Sequence, residues 1–261
     1  MPPTLRDEGL IDRILEPGAL TAAFQPVYEA RDGALRIHYL EALIRGPRGS
    51  SVESPNVLFE YARRKNRAAE VDRACVRTVL AAATALPPHV KIGLNLHAAT
   101  LALDPEFLNI LGDAATDSGI APERLVVEIV EHAPPWDVSG FRNGIAGLRA
   151  IGVRVALDDI GLGHSNYMMI LECRPDYFKI DRYFVHDSAN DYYRKAVLAS
   201  VAQLARPFGA RVVAEGVETA ADLRTAQEAG ISLFQGWLFS GAHAAGHFDD
   251  TDVVGYPIRE T

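Results

Sequence analysis

Cysteine is scarce: Cys75 and Cys173 are the only two in 261 residues, too few for a disulfide framework. A reducing cytoplasm is therefore the expected compartment. Each thiol reads as a small buried hydrophobe rather than a nucleophile, because no His/Asn motif accompanies it. No apolar run approaches the roughly 18–20 residues needed to cross a bilayer, which argues against a membrane span. The opening stretch MPPTLRDEGLID is charged where a signal peptide needs an apolar segment, so export is not expected. Positive charge is thin as well, with Lys+Arg 26 against Asp+Glu 34 and a formal net charge of −8. Arg63-Arg64-Lys65 is the one basic run, and it falls on the solvated face of a helical pattern. Duplex DNA needs clustered cations to displace its counterions, so DNA is not an expected partner. An anionic ligand would have to be met by local Arg or Lys groups or by bound metal ions. Finally, no GxGxxG opens a helix after a strand, which disfavours an open dinucleotide-binding sheet.

What is present is ordinary globular composition, 48% hydrophobic and 23% charged, with strand-like and helix-like stretches in alternation. Strands are predicted at 22–28, 36–44, 90–96, 125–130, 153–157, 177–180, 211–214 and 233–238. Helices are predicted over 55–86 (two), 105–118, 138–151, 167–172, 191–208 and 220–229, with Pro105 and Gly152 at helix boundaries. Such alternation implies right-handed βαβ units and a parallel sheet, and this many strands implies closure into a barrel. One connection departs from the rule. Between Tyr28 and Arg36 lies only Glu29–Leu35, too short for a crossover helix, and its Asp32-Gly33 pair signals a hairpin. The expected fold is thus a modified TIM-type (β/α)8 barrel whose first strand is antiparallel. Residues 1–19 are expected to form a helical lead-in, 20–245 the barrel and 246–261 a C-terminal tail, loosely structured from GAHAAGHFDD onward.

The chemistry lies at the C-terminal ends of the strands. Glu41, Asn95, Glu128, Asp158 with Asp159, Asp181, Glu215 and Gln235 end or follow the second to the eighth strand in turn. Singly, each is explained as a loop residue or helix cap; collectively, they converge on the barrel face where such folds place their active sites. So many acids at one mouth repel each other unless cations lie between them. Oxygen-only donors suit magnesium or manganese, and the adjacent Asp158 and Asp159 suit a pair of ions able to clamp a phosphodiester. Arg45, four residues after Glu41, falls on the same side of its strand and is a candidate for a phosphate oxygen. Lys179, two before Asp181, is a candidate for holding water or phosphate, or for a structural ion pair inside the barrel.

Gln25-Pro26-Val27, Glu41-Ala42-Leu43-Ile44-Arg45, Asn95-Leu96, Glu128-Ile129-Val130-Glu131, Asp158-Asp159-Ile160-Gly161, Lys179-Ile180-Asp181, Ala214-Glu215-Gly216-Val217-Glu218-Thr219 and Gln235-Gly236 occur in this order. The set resembles the signature of EAL domains, the bacterial cyclic di-GMP phosphodiesterases, from about Ala22 to Ser240. The resemblance implies two Mg²⁺ or Mn²⁺ ions and hydrolysis of cyclic di-GMP to linear pGpG. It implies metal ligation by Glu41, Asn95, Glu128 and Asp158, with Asp158 bridging to a second ion served or flanked by Asp159, Asp181 and Glu215. By the same resemblance Glu41, Lys179 and Glu215 take catalytic roles, Lys179 holding the attacking water. Gln25, Arg45 and Gln235 face substrate, Glu131 anchors the loop after Asp159, and Glu218 supports it. A homodimer is expected by the same analogy, with regulation through dimerisation, expression or a protein partner.

Two departures from the family pattern stand out. The loop usually written Asp-Asp-Phe-Gly-Thr-Gly-Tyr-Ser-Ser reads Asp158-Asp159-Ile160-Gly161-Leu162-Gly163-His164-Ser165-Asn166, so Leu162 replaces a hydroxyl. Gly46-Pro47 follows Arg45 in place of the commoner aromatic. Neither removes a ligand, but they leave open a receptor that binds the nucleotide without cutting it. A glycosidase with paired carboxylates is a third reading, which explains neither Asn95 nor Lys179. His97 and His132 are expected in supporting or rim positions, and His164 in the variable loop. His243 and His247 have i, i+4 spacing without the surroundings of a zinc site. Trp237 and Phe239 are expected as barrel packing or pocket wall.

Overall fold

Strand pairing closes on itself in the computed structural model, which describes residues 9–31, 34–130, 137–162 and 167–249. β1 (Thr21–Arg31) and β2 (Ala34–Arg45) form an antiparallel hairpin paired out to Arg31 and Ala34; the Asp32-Gly33 turn itself lies outside the described residues. β3 (Ile92–His97), β4 (Leu125–Val130), β5 (Arg154–Ile160), β6 (Tyr177–Ile180), β7 (Arg211–Ala214) and β8 (Leu233–Phe234) follow in parallel. β8 returns to β1 antiparallel through Tyr28 and Glu29. The barrel with one reversed strand is as the sequence predicts.

The surrounding helices are α1 (Leu10–Leu15), α2 (Pro55–Arg64), α3 (Ala68–Ala83), α4 (Ala98–Leu103), α5 (Phe107–Asp117), α6 (Val138–Ala150), α7 (Tyr167–Cys173), α8 (Arg182–Val185), α9 (Tyr192–Ala205) and α10 (Ala220–Glu228). α4 and α8 are additions to the expected set, short turns launched directly from the ends of β3 and β6. Several starts are capped as elementary helix chemistry requires. Asp137 accepts from the Ser139 amide, Asp191 from those of Tyr193 and Arg194, and Thr219 and Asp222 form a reciprocal capping box.

Side-chain alternation divides the core in two. One set of strand residues, including Phe24, Leu40, Ile92, Val127, Leu157, Phe178 and Phe234, packs outward against the helices. The other fills the barrel axis: Val27, Tyr39, Val126, Ala156, Tyr177, Val213 and Leu233 form a separate buried cluster. Two residues further toward the mouth, on the same face of each strand, stand Glu41, Glu128, Asp158, Lys179, Glu215 and Gln235. β1 runs the other way, so Gln25 lies above Val27. The apolar plug is therefore the floor on which the polar layer rests. β3 contributes Gly93 beneath Asn95, where a Cβ would lie 2.3 Å from Glu128 Oε1 and 3.1 Å from the Tyr39 ring. Glycine leaves the room that the Glu128 carboxylate occupies.

The segment after Ser240 departs from the expected loose tail. β8 is short, leaving the upper edge of β1 unpaired, and His243 takes its place. The Phe24 amide donates to His243 O at 2.7 Å and the His243 amide to Phe24 O at 2.8 Å. Ala245 and Phe248 are buried, so the chain is docked as far as Phe248. Both cysteines are buried, as expected.

Beneath the plug, His38 Nε2 lies 3.0 Å from the Tyr177 hydroxyl and Nδ1 3.4 Å from Glu29, whose carboxylate accepts from Arg211 at 2.9 Å. Burial, and then the charges of Arg211 and Lys91, push the His38 imidazole down to about 4. A histidine held neutral below its unfolded value gives up stability as pH falls, because only the unfolded chain takes up the proton. Wild-type protein should therefore lose more thermal stability than His38→Gln between pH 7 and pH 4.5, by roughly 1–3 kcal/mol. Parallel melting curves of the two proteins check this.

Candidate metal centre and active site

Lys179 stands at the centre of the polar layer. Its ammonium is buried and lies 2.7 Å from Glu215 Oε1 and 3.3 Å from both Glu41 Oε2 and Asp158 Oδ1, and it pairs closely with Glu128 Oε2. These carboxylates arrive from β2, β4, β5 and the end of β7. Amide side chains complete the shell of Glu41: Gln235 Nε2 donates to Oε2 at 2.7 Å and Asn95 Nδ2 to Oε1 at 3.1 Å. Both sequence readings of Lys179 are compatible with this geometry, since the residue pairs inside the barrel and also lines the cavity above it.

One cation does not balance this many acids. Burial would lower the Lys179 ammonium, but Asp158, Glu128, Glu215 and Glu41 together hold it well above its ordinary value. Glu128 is pushed up to about 8 by burial, with Lys179 opposing and Glu41 adding to the rise. Burial also raises Asp158 and Glu215, whereas Glu41 is held below its ordinary value because Lys179, Gln235 and Asn95 outweigh its burial. Asp159 rises to about 6 through burial and the neighbouring charges of Asp158 and Asp181. Excess buried negative charge of this kind is the environment a divalent cation relieves.

Asp158 and Asp159 are sequence neighbours, so a regular strand would send them to opposite faces. β5 is irregular between Leu157 and Ile160, and Asp159 has a left-handed φ of 53°, a conformation Asp tolerates better than most residues. This brings one oxygen each of Asp158, Asp159 and Glu215 within 4.8 Å of one another, the one such group of three among the described residues. All three donors are carboxylate oxygens, which fit Mg²⁺ or Mn²⁺.

Two cavities flank Asp158. One, about 250 Å³, is walled by Gln25, Glu41, Lys179, Glu215, Gln235 and Trp237. The other, about 240 Å³, is more apolar and reaches Asn95, His97, Phe59 and Asp159. Of the remaining sequence candidates, Asp181 uses its carboxylate to cap α8, accepting from the Tyr183 amide at 2.7 Å. Arg45 is exposed, donates to Ile44 O at 3.1 Å and lines neither cavity. Arg45 is the last residue of β2, opposite Thr21 of β1. Glu218 pairs with Arg182 at 2.7 Å and borders the first cavity. Glu131, His132 and His164 lie outside the described residues. His97 turns its Nδ1 to the buried Asp72 at 2.9 Å, a supporting position at the wall of the second cavity. His243 and His247 stack on each other with ring centroids 4.0 Å apart.

One site residue escaped the sequence reading, and for another the structure chooses between two. Arg182 follows the last predicted ligand of β6, and its place at the cavity depends on how α8 turns. Trp237 is 74% exposed at the cavity wall, which removes the barrel-packing alternative, whereas Phe239 packs against Tyr28 at 5.4 Å.

The EAL domain family model matches residues 9–242. The structure of BlrP1 from Klebsiella pneumoniae, a manganese and cyclic diGMP complex at pH 9.0, is similar over 89% of this chain and 58% of that chain, with 30% identity and a TM-score of 0.77. A standalone EAL protein from Vibrio cholerae O395 in its c-di-GMP-bound form is 25% identical, with 87% of this chain and 93% of that chain covered and a TM-score of 0.76. The probable cyclic di-GMP phosphodiesterase PdeG of Escherichia coli K12 is 28% identical over 236 residues, 89% of this chain and 46% of that protein. The chain spans 27% to 46% of the length of the first curated relatives it matches.

Removing the central cation leaves buried carboxylates without their partner. Lys179→Met should destabilise the metal-free protein by about 3–5 kcal/mol at pH 7. Urea denaturation in EDTA measures the loss, and a loss below about 1 kcal/mol would contradict a buried ion-pair centre.

Proposed function

Since this chain belongs to the EAL domain family, we propose that it hydrolyses cyclic di-GMP to linear pGpG with the help of two Mg²⁺ or Mn²⁺ ions. The observation that carries the reading is the buried Lys179 ringed by Glu41, Glu128, Asp158 and Glu215, with Asp159 turned toward the same mouth. In this reading Glu41, Asn95, Glu128 and Asp158 hold one ion, and Asp158 is shared with a second served by Asp159, Asp181 and Glu215. When bound, the ions supply an activated water and neutralise charge developing on the phosphate.

The rest is the work of the chain itself. Lys179, fully protonated among its acids, donates to the attacking water and orients it. Water oxygen adds to phosphorus, the P–O3′ bond breaks, and the water's proton ends on the departing 3′-oxygen. Glu215 Oε1 lies 2.7 Å from Lys179 and faces the same cavity, which places its carboxylate to relay that proton. Gln25 and Gln235 face the substrate within the cavity, and Arg45, outside the cavity lining, is assigned to the part of the substrate that projects past the rim. Glu131 and Glu218 hold the surrounding loops, Glu218 through its pair with Arg182.

The protein is proposed to act as a cytoplasmic homodimer, with a regulatory protein partner as a further contact. An apolar groove between α7 and α9, lined by Leu162, Tyr167, Ile170, Tyr193, Val197 and Val201, supports self-association beside the Asp159 loop. No helix among the described residues is long and apolar enough to cross a membrane.

A receptor that binds without cutting is the second reading. Leu162 favours it, because the side chain lines that groove where the family pattern has a hydroxyl next to the aspartates. Incubation with cyclic di-GMP and Mg²⁺ or Mn²⁺ decides: pGpG should form and EDTA should stop it. Binding without product, unaffected by chelator, would establish the receptor. Glu41→Ala should reduce turnover by at least a hundredfold while the circular dichroism spectrum is retained, and turnover close to wild type would remove Glu41 from the ligand set. Mn²⁺ at a hundred times its Kd should raise stability by about 3 kcal/mol, a gain that Asp159→Asn diminishes in thermal melts.

A further inference from the structure

Period-two alternation carries the inward face of each strand past the apolar plug to the lower end of the barrel, away from Lys179. There Lys91, Arg154 and Arg211 stand two residues before the inward-facing Gly93, Ala156 and Val213, and Glu29 stands two residues after Val27. His38 joins them through its contacts with Glu29 and Tyr177. Arg154 is exposed and Lys91 and Arg211 are half-buried, so solvent reaches this opening. The acids present are already engaged. Glu29 accepts from Arg211 at 2.9 Å, and Asp176 gives one oxygen to the Val155 amide at 2.9 Å while the other lies 3.9 Å from Arg154. Lys91 makes no ion pair among the described residues, and burial with the charges of Arg154 and Arg211 pushes its ammonium below the ordinary value. The backbone that presents these groups is braced. Arg124 donates to Val90 O at 2.9 Å and to Pro87 O at 3.1 Å, the Leu40 amide donates to Lys91 O at 2.9 Å, and the Arg211 amide donates to Asp176 O at 2.9 Å. The lower end is thus the electrostatic reverse of the mouth: cations from β3, β5 and β7 crowd one opening, in a chain whose net charge is −8.

We propose that Lys91, Arg154, Arg211 and His38 form a binding site at the lower end of the barrel for a small oxyanion, phosphate or a phosphate monoester. Two guanidinium groups offer forked N–H donors and Lys91 a compact ammonium, and a tetrahedral dianion has acceptor oxygens enough to meet all three. The bound anion relieves repulsion among the cations, as a divalent ion relieves the acids at the other end. His38 responds to it. Held neutral beside Arg211 and Lys91, its imidazole takes up a proton more readily once a dianion offsets those charges. The plug separates this site from Lys179, so it stands apart from the phosphodiesterase reading.

Titration of the full chain with inorganic phosphate in EDTA, at an ionic strength held constant with chloride, tests this. Calorimetry should show saturable binding, and the imidazole resonance that disappears in His38→Gln should titrate at higher pH in phosphate than in chloride. Lys91→Gln and Arg154→Gln should each weaken Kd about five- to tenfold, and together about thirty- to a hundredfold. Neither side chain belongs to a buried pair, so both variants should keep the wild-type circular dichroism spectrum. Glycerol 2-phosphate separates the two sources: tighter binding than inorganic phosphate identifies a monoester, weaker binding identifies the free ion, and either upholds the site. No saturable binding to wild-type protein would overturn it, as would an unchanged Kd in the double variant.

Discussion

A buried ammonium surrounded by carboxylates is the interaction on which this molecule turns. Neither sign of charge is tolerable alone at that depth, because the loss of hydration is far larger than any single pairing returns. Lys179 from β6 answers Glu41 from β2, Glu128 from β4, Asp158 from β5 and Glu215 beyond β7, so one side chain ties together strand ends from around the barrel. The arrangement is unbalanced by design of its composition: the acids outnumber the cation. That residual charge, rather than any one ligand, makes the mouth receptive to divalent ions.

The floor beneath it matters as much. Tyr39, Val126, Ala156, Tyr177, Val213 and Leu233 fill the axis and keep water from reaching the acids from below. Desolvation from that side raises Glu128 to about 8. A barrel with a wet interior would leave the same residues as ordinary surface carboxylates. Period-two alternation links floor and site mechanically, since each plug residue and the polar residue above it share a strand face.

Much of this was legible in the residues. The short connection between Tyr28 and Arg36 leaves room only for a hairpin, and helix-length spacers elsewhere force parallel pairing, so the reversed first strand follows from chain length. Glu41, Asn95, Glu128, Asp158, Glu215 and Gln235 all reach the mouth because they sit at matching places on successive strands. Arg45 shows where such reasoning stops. It belongs to the same alternation as Glu41, yet as the last residue of β2 it is exposed and donates to Ile44 O without lining either cavity. The docked segment at His243 was equally hidden, because its partner is an edge of β1 left open by the brevity of β8.

The sequence by itself determined the order of strands and helices, the hairpin at the start and the chemical character of the mouth, because these follow from local periodicity and from which residue ends each strand. Tertiary structure alone decided three things. It turned Asp159 to the side of Asp158 through an irregular β5, placed Lys179 among its acids, and raised Trp237 over Arg182 at the rim. Each depends on how backbones from distant parts of the chain approach one another, and a departure from regular strand geometry leaves no periodic trace in the residues that undergo it.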